Sequence, residues 1–156
     1  MAEPDAAVEA ARLSHLRRAQ WDEAFTNAAQ GNRLGELKLA VANGANVDAI
    51  GGNGMSAAHW ACQDHRVELL QYLVEQTACT LNAVDSEGYT PLLIAAEKGH
   101  VECVRLLVRG ARAAGDACDV GVRLADGYTA LRIAAEEAQR GSQRHAAVAS
   151  LLQQAS

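Results

Sequence analysis

Aromatic side chains make up only 4% of this 156-residue chain, with a single phenylalanine among them. A core built on large rings is thereby excluded, and an alanine-rich stack of small elements suits the composition better. Basic charge is also short: 14 lysines and arginines face 19 aspartates and glutamates, for a net charge of −5. Nucleic-acid phosphates need a basic surface, so no nucleic acid is expected as ligand and a protein partner with a basic segment is. No run approaches the roughly 18 continuous apolar residues of a membrane span, so no membrane insertion is expected. The start, Met1-Ala2-Glu3-Pro4-Asp5, has neither the apolar stretch of a secretory signal nor the acid-poor character of a transit peptide. The expected location is the cytoplasm, with the nucleus open.

Patterns that carry chemistry are missing as well. Cys62, Cys79, Cys103 and Cys118 stand 17, 24 and 15 positions apart, with no Cys-x-x-Cys pair. Zinc sites and disulfide frameworks use tighter or paired spacing, so these read as small reduced core residues in a reducing compartment. No His, Cys and acid are spaced as a metalloprotease or nucleophile motif requires. Gly51-Gly52-Asn53-Gly54 lacks the Lys-Ser/Thr and the preceding strand of a phosphate cradle, and reads as a hairpin tip. No catalytic residue, metal or cofactor is expected.

What is present is a repeat. Gly88-Tyr89-Thr90-Pro91-Leu92-Leu93-Ile94-Ala95-Ala96-Glu97-Lys98-Gly99-His100 recurs in weakened form upstream from Gly54 to Cys62 and downstream from Gly127 to Ala135. The leading glycines are 34 and 39 residues apart, a period that announces a stacked array. In the central copy Thr90 can cap a helix that starts at Pro91, where the missing N–H costs nothing. Leu92, Ala95 and Ala96 form one stripe, and the alanines let neighbouring helices approach closely. Gly99 can end the helix in a left-handed conformation, and Val101, Val104, Leu107 and Val108 restore the periodicity on a second helix. His65 takes the glycine's place in the preceding copy, a positive-φ position that histidine tolerates at modest cost. Two such short helices cannot bury both faces alone, so stacking is required.

Thr90-Pro91-Leu92, Ala95-Ala96, Gly99-His100 and the apolar run to Val108 resemble an ankyrin repeat. The resemblance covers about Trp21 to the C-terminus. It implies an all-α solenoid of stacked helix-turn-helix units with short hairpin loops, in four repeats at about 21–50, 51–84, 85–125 and 126–156. It also implies structural roles for His59, which bonds backbone across the repeat, and for the turn residue His100.

Residues 1–20 read as a helical extension: Asp5 can cap a helix to about residue 19, with Val8, Ala11 or Arg12, and Leu16 near one face. Its role is open between a lid on the apolar side of repeat one and a partner-binding arm, the latter favoured by His15, Arg17 and Arg18. Gly110, Gly115 and Gly121 with Asp116 and Asp119 mark the stretch 110–125 as an inserted loop, and residues 138–144 stretch repeat four.

The resemblance implies a non-enzymatic interaction module, an adaptor or a subunit of a larger assembly, or alternatively a specific inhibitor that clamps a kinase or transcription factor. By repeat offset the partner-binding face takes Asn53, Met55, Gln63 and Asp64 from repeat two, Ser86, Glu87, Tyr89, Glu97 and Lys98 from repeat three, and Tyr128, Glu136 and Glu137 from repeat four. That face is expected to be acidic, with Arg105, Arg109 and Arg112 on the opposite side. Tyr89 and Tyr128 serve either as anchors or as covers for the hairpin base.

Overall fold

A computed structural model of the chain describes residues 5–77, 79–114 and 118–155, apart from the side chains of residues 111–114. The described residues form α1 (Ala6–Gln30), α2 (Leu34–Ala42), α3 (Ala57–Gln63), α4 (Val67–Gln76), α5 (Pro91–Lys98), α6 (Val101–Ala114), α7 (Ala130–Gln139) and α8 (Gln143–Ala155). Consecutive helices pair, α1 with α2 through α7 with α8. The first helices of the pairs stack in the order α1, α3, α5, α7, and α4, α6 and α8 stack beside them as a second layer. The chain is an all-α solenoid.

The helix boundaries follow from their capping chemistry. Thr90 Oγ1 accepts from the Leu93 N–H at 3.3 Å with Pro91 in the first turn, and Thr129 Oγ1 accepts from the Arg132 N–H at 3.2 Å. These bonds satisfy N–H groups that have no partner inside a helix. Each first helix ends at a left-handed residue: Asn32 and His65 at φ 56°, Gly99 at 72° and Gly141 at 100°. The tight reversal that follows brings the second helix back along the first.

Alanines and leucines fill the interior, as the scarcity of rings requires. Leu92, Ala95 and Ala96 are buried together with Ala58, Ala61, Ala130 and Ala134 of the neighbouring first helices. Cys62 and Cys103 are buried with them, so burial pushes the Cys62 thiol up while the hydrogen bond from Cys62 holds that of Cys103 down. A column of polar bonds also ties each repeat to the next. The Arg66 guanidinium donates to the Ala29 carbonyl, His100 Nε2–H to Gln63 O at 3.2 Å, and His145 Nε2–H to Glu97 O at 2.9 Å. The acceptors are all carbonyls in the last turn of a first helix, where none has a partner within its own helix.

Three segments differ from their sequence reading. The extension is no separate piece: α1 runs unbroken from Ala6, with Asp5 Oδ1 accepting from the Ala7 N–H, into the first helix of repeat one. Val8 and Leu16 do not lie against the apolar side of repeat one but stand 61% and 51% exposed. Asp22, further along α1, does reach the stack: its Oδ1 accepts from the Asn46 N–H at 2.6 Å, as Asp48 Oδ1 accepts from Thr80 and Asn82 Oδ1 from Asp119.

The second difference is Gly110, which lies inside α6 rather than in a loop. A Cβ there would sit 1.9 Å from Val74 Cγ1, so the glycine lets α6 approach α4. Gly115 and Asp116 lie outside the described residues. The third differs only in how the length is used: repeat four is stretched as expected, with the stretch 138–144 forming the end of α7, a short turn and the start of α8.

Candidate partner-binding face

Each first helix from α3 onward is preceded by a hairpin tip closed by backbone bonds. Gly51 N–H donates to Met55 O at 3.1 Å, Asp85 N–H to Tyr89 O at 3.0 Å and Leu124 N–H to Tyr128 O at 2.9 Å. Gly54, Gly88 and Gly127 supply the positive φ that such tips demand. Asn53 Oδ1 accepts from Met55 N–H, Asp85 Oδ1 from Glu87 and Tyr89 N–H, and Asp126 Oδ1 from Tyr128 N–H. Side-chain oxygens thus replace water at the tip amides and hold each tip in one shape. Ser86 N–H also donates to Asn53 O at 3.3 Å, joining neighbouring tips.

His59 belongs to this scaffold and not to a reactive site. Its Nδ1 accepts from the Ser56 N–H and hydroxyl at 3.1 and 2.8 Å, and its Nε2–H donates to Tyr89 O at 2.8 Å. Both ring nitrogens are thereby used, and burial pushes the imidazole below its ordinary pKa.

Upon this frame Asn53, Asp64, Ser86, Glu87, Glu97 and Lys98 are exposed, while Gln63, Tyr89, Tyr128, Glu136 and Glu137 are half-buried. Met55 departs from the expected face: it is 7% exposed and packs into the core. Its tip position turns the side chain inward, which repeat offset alone does not show.

The charge on this face is less uniform than the sequence suggests. Asp64 pairs with Arg66 at 2.8 Å, Glu136 with Arg132 at 3.3 Å and Glu137 with Arg140 at 2.6 Å. Glu87 and Glu97 make no ion pair among the described residues, and their charges, with those of Asp85 and Asp126, act on the Tyr89 phenol. Burial first, and then these four carboxylates, push its phenol above the ordinary tyrosine value. Tyr128 differs, because the Arg132 guanidinium lies 4.1 Å from its ring centre and covers it.

Arg132, Asp85 and Asp126 were not among the expected face residues. The cue for the two aspartates was local: an acid two or four residues before a tip residue is an Asx-turn signal. On the second-helix side Arg105 pairs with Glu102 at 2.5 Å, Arg109 is exposed, and the side chain of Arg112 lies outside the described residues.

A family model described as ankyrin repeats in three copies matches residues 25–115 and 79–156. Among curated proteins the chain is similar to the 26S proteasome non-ATPase regulatory subunit 10 of Dictyostelium discoideum, 32% identical over 49% of this chain and 33% of that protein. It is also similar to the potassium channel AKT1 of Arabidopsis thaliana, 40% identical over 55% of this chain and 10% of that protein. The ankyrin repeat domain-containing protein 49 of Mus musculus is 41% identical over 31% of this chain and 21% of its own length. The chain thus spans a third or less of these curated relatives. With the family model spanning the stack that the helices build, the chain belongs to the ankyrin-repeat family.

Proposed function

We propose that the chain is an adaptor that holds a basic segment of a protein partner across its hairpin tips and first helices, as a subunit of a larger assembly. Ankyrin repeats imply a protein–protein interaction module, and the families built from them are generally not enzymes. The observation that carries the finer reading is the half-buried Tyr89 held on its closed hairpin tip, with the exposed Glu87 of that tip and the exposed Glu97 of α5 making no ion pair among the described residues. An aromatic body with a wet polar end suits an anchor, and unpaired acids beside it attract lysine and arginine.

The test uses a fluorescein-labelled peptide of alternating lysine and leucine against the full chain, with its glutamate counterpart as control. Backbone amide shifts that cluster at Glu87, Tyr89 and Glu97 and vanish in Glu97→Lys support the reading. Shifts scattered over the second helices, or equal affinity for both peptides, overturn it. Titration of the purified chain against a kinase panel separates an adaptor from an inhibitor, since only the latter lowers activity.

A further inference from the structure

The first half of α1 is both basic and uncovered by the stack. From Ala10 to Gln20 the sequence holds three arginines and no acid, and every residue from Ala10 to Gln20 is exposed. In the stack Arg33, Arg66, Arg105, Arg132 and Arg140 each sit within ion-pair distance of a carboxylate, while Arg109, Arg123 and Arg144 are exposed without one among the described residues. Arg12, Arg17 and Arg18 have no such partner among the described residues.

This stretch also forms one wall of a groove. A volume of about 530 Å³ opens where α1 continues past the end of α2, lined by Leu13, Arg17, Arg18 and Trp21 on one side and by Asn43 and Gly44 on the other. Leu13 is 50% exposed, while Trp21 packs partly against the core and so presents a fixed apolar surface. Of the nearby acids, Glu9 does not line the groove and Asp22 is committed to the Asn46 N–H. The groove therefore combines an apolar floor with two guanidinium groups that nothing in the described chain neutralises.

We infer that this groove is a second docking surface, for an acidic peptide segment of a protein partner that places an apolar side chain on Trp21 and Leu13 and its carboxylates on Arg17 and Arg18. Guanidinium forks match carboxylates in pairs of parallel hydrogen bonds, which lysine cannot reproduce. The polarity is opposite to that of Glu87 and Glu97 on the hairpin face, so the two surfaces select different segments. The inference stands independently of the role given to the hairpin face.

The experiment reads Trp21 directly. Trp60→Phe leaves Trp21 as the sole tryptophan, and the probe is a twelve-residue peptide of alternating glutamate and leucine, with its glutamine counterpart as control. The glutamate peptide is expected to shift Trp21 emission, with affinity falling about tenfold in Arg17→Glu/Arg18→Glu and falling again with added salt. Arg17→Lys/Arg18→Lys keeps the charge and should recover only part of the loss. Equal binding of the glutamine peptide, or unchanged affinity in the reversed variant at an unchanged melting temperature, overturns the inference. So does sedimentation showing that the arginines hold two copies of this chain together.

Discussion

The first half of α1 and the whole of α5 are both rich in alanine, yet one is in solvent and the other in the core. Ala6, Ala7, Ala10 and Ala11 are exposed, whereas Pro91 through Ala96 are all buried. In α1 the alanines contribute helix propensity alone, which holds a helix of this length only marginally without packing. In α5 they contribute close approach, because a small side chain lets α3 and α7 stack against either side. The same residue type thus fixes a fold in one place and merely permits an exposed arm in the other.

The widest separation between the two regions should come from leucine truncation. Leu107→Ala, in the fully buried face of α6, should cost roughly 2–5 kcal/mol in urea denaturation. Leu13→Ala in the arm should stay within about 0.5 kcal/mol of the parent. A comparable loss in both would mean that the arm is packed in solution and would end the contrast.

A smaller effect probes why α6 reads so differently from its sequence. Gly110→Ala gains helix propensity but drives a methyl into Val74, and overpacking of this kind costs about 1–3 kcal/mol. Val74→Ala should turn that substitution from destabilising to neutral or better. Additive losses in the double variant would show that the close approach of α6 to α4 is not what the glycine serves.

Those same positions mark where the sequence was legible. Repeat three announced its helices because Thr90, Pro91 and Gly99 act through local geometry that any neighbours would leave intact. Gly110 was misread as a breaker because its reason lies across the stack, in Val74, and no local pattern carries it. The fusion of the extension with repeat one had a cue in plain view: Ala6 to Gln30 contains neither glycine nor proline. On the hairpin face the exposed acids followed from repeat offset, while the inward turn of Met55 and the pairing of Glu136 and Glu137 depend on side-chain direction.

A gentler lever on the stack is pH. Burial holds His59 and His100 below the ordinary histidine value of 6.5, so the unfolded chain takes up protons before the folded one does. Stability is therefore complete above that value and falls as pH drops below it. Melting temperatures from pH 7 to 5 should decline, and His59→Gln should flatten the slope even though it lowers the starting point. A decline unchanged in slope would assign it to other groups.

The smallest effects on stability, and the most informative on function, come from charge reversal on the hairpin face. Glu87 and Glu97 are exposed and make no ion pair among the described residues, so reversing them to lysine should leave the melting temperature nearly unchanged. Against a basic partner segment the same changes should slow association and flatten its salt dependence, because such charges act through a field screened beyond about 10 Å at 0.1 M salt. Glu136→Lys should do less at the same charge change, since Glu136 is already neutralised by Arg132. Tyr89→Ala should instead speed dissociation, as the loss of a half-buried anchor is felt once the partner is seated. Stopped-flow mixing separates the two rates. If both survive all of these changes and binding is lost only with Arg17→Glu/Arg18→Glu, the arm is the working surface and the stack only holds it in place.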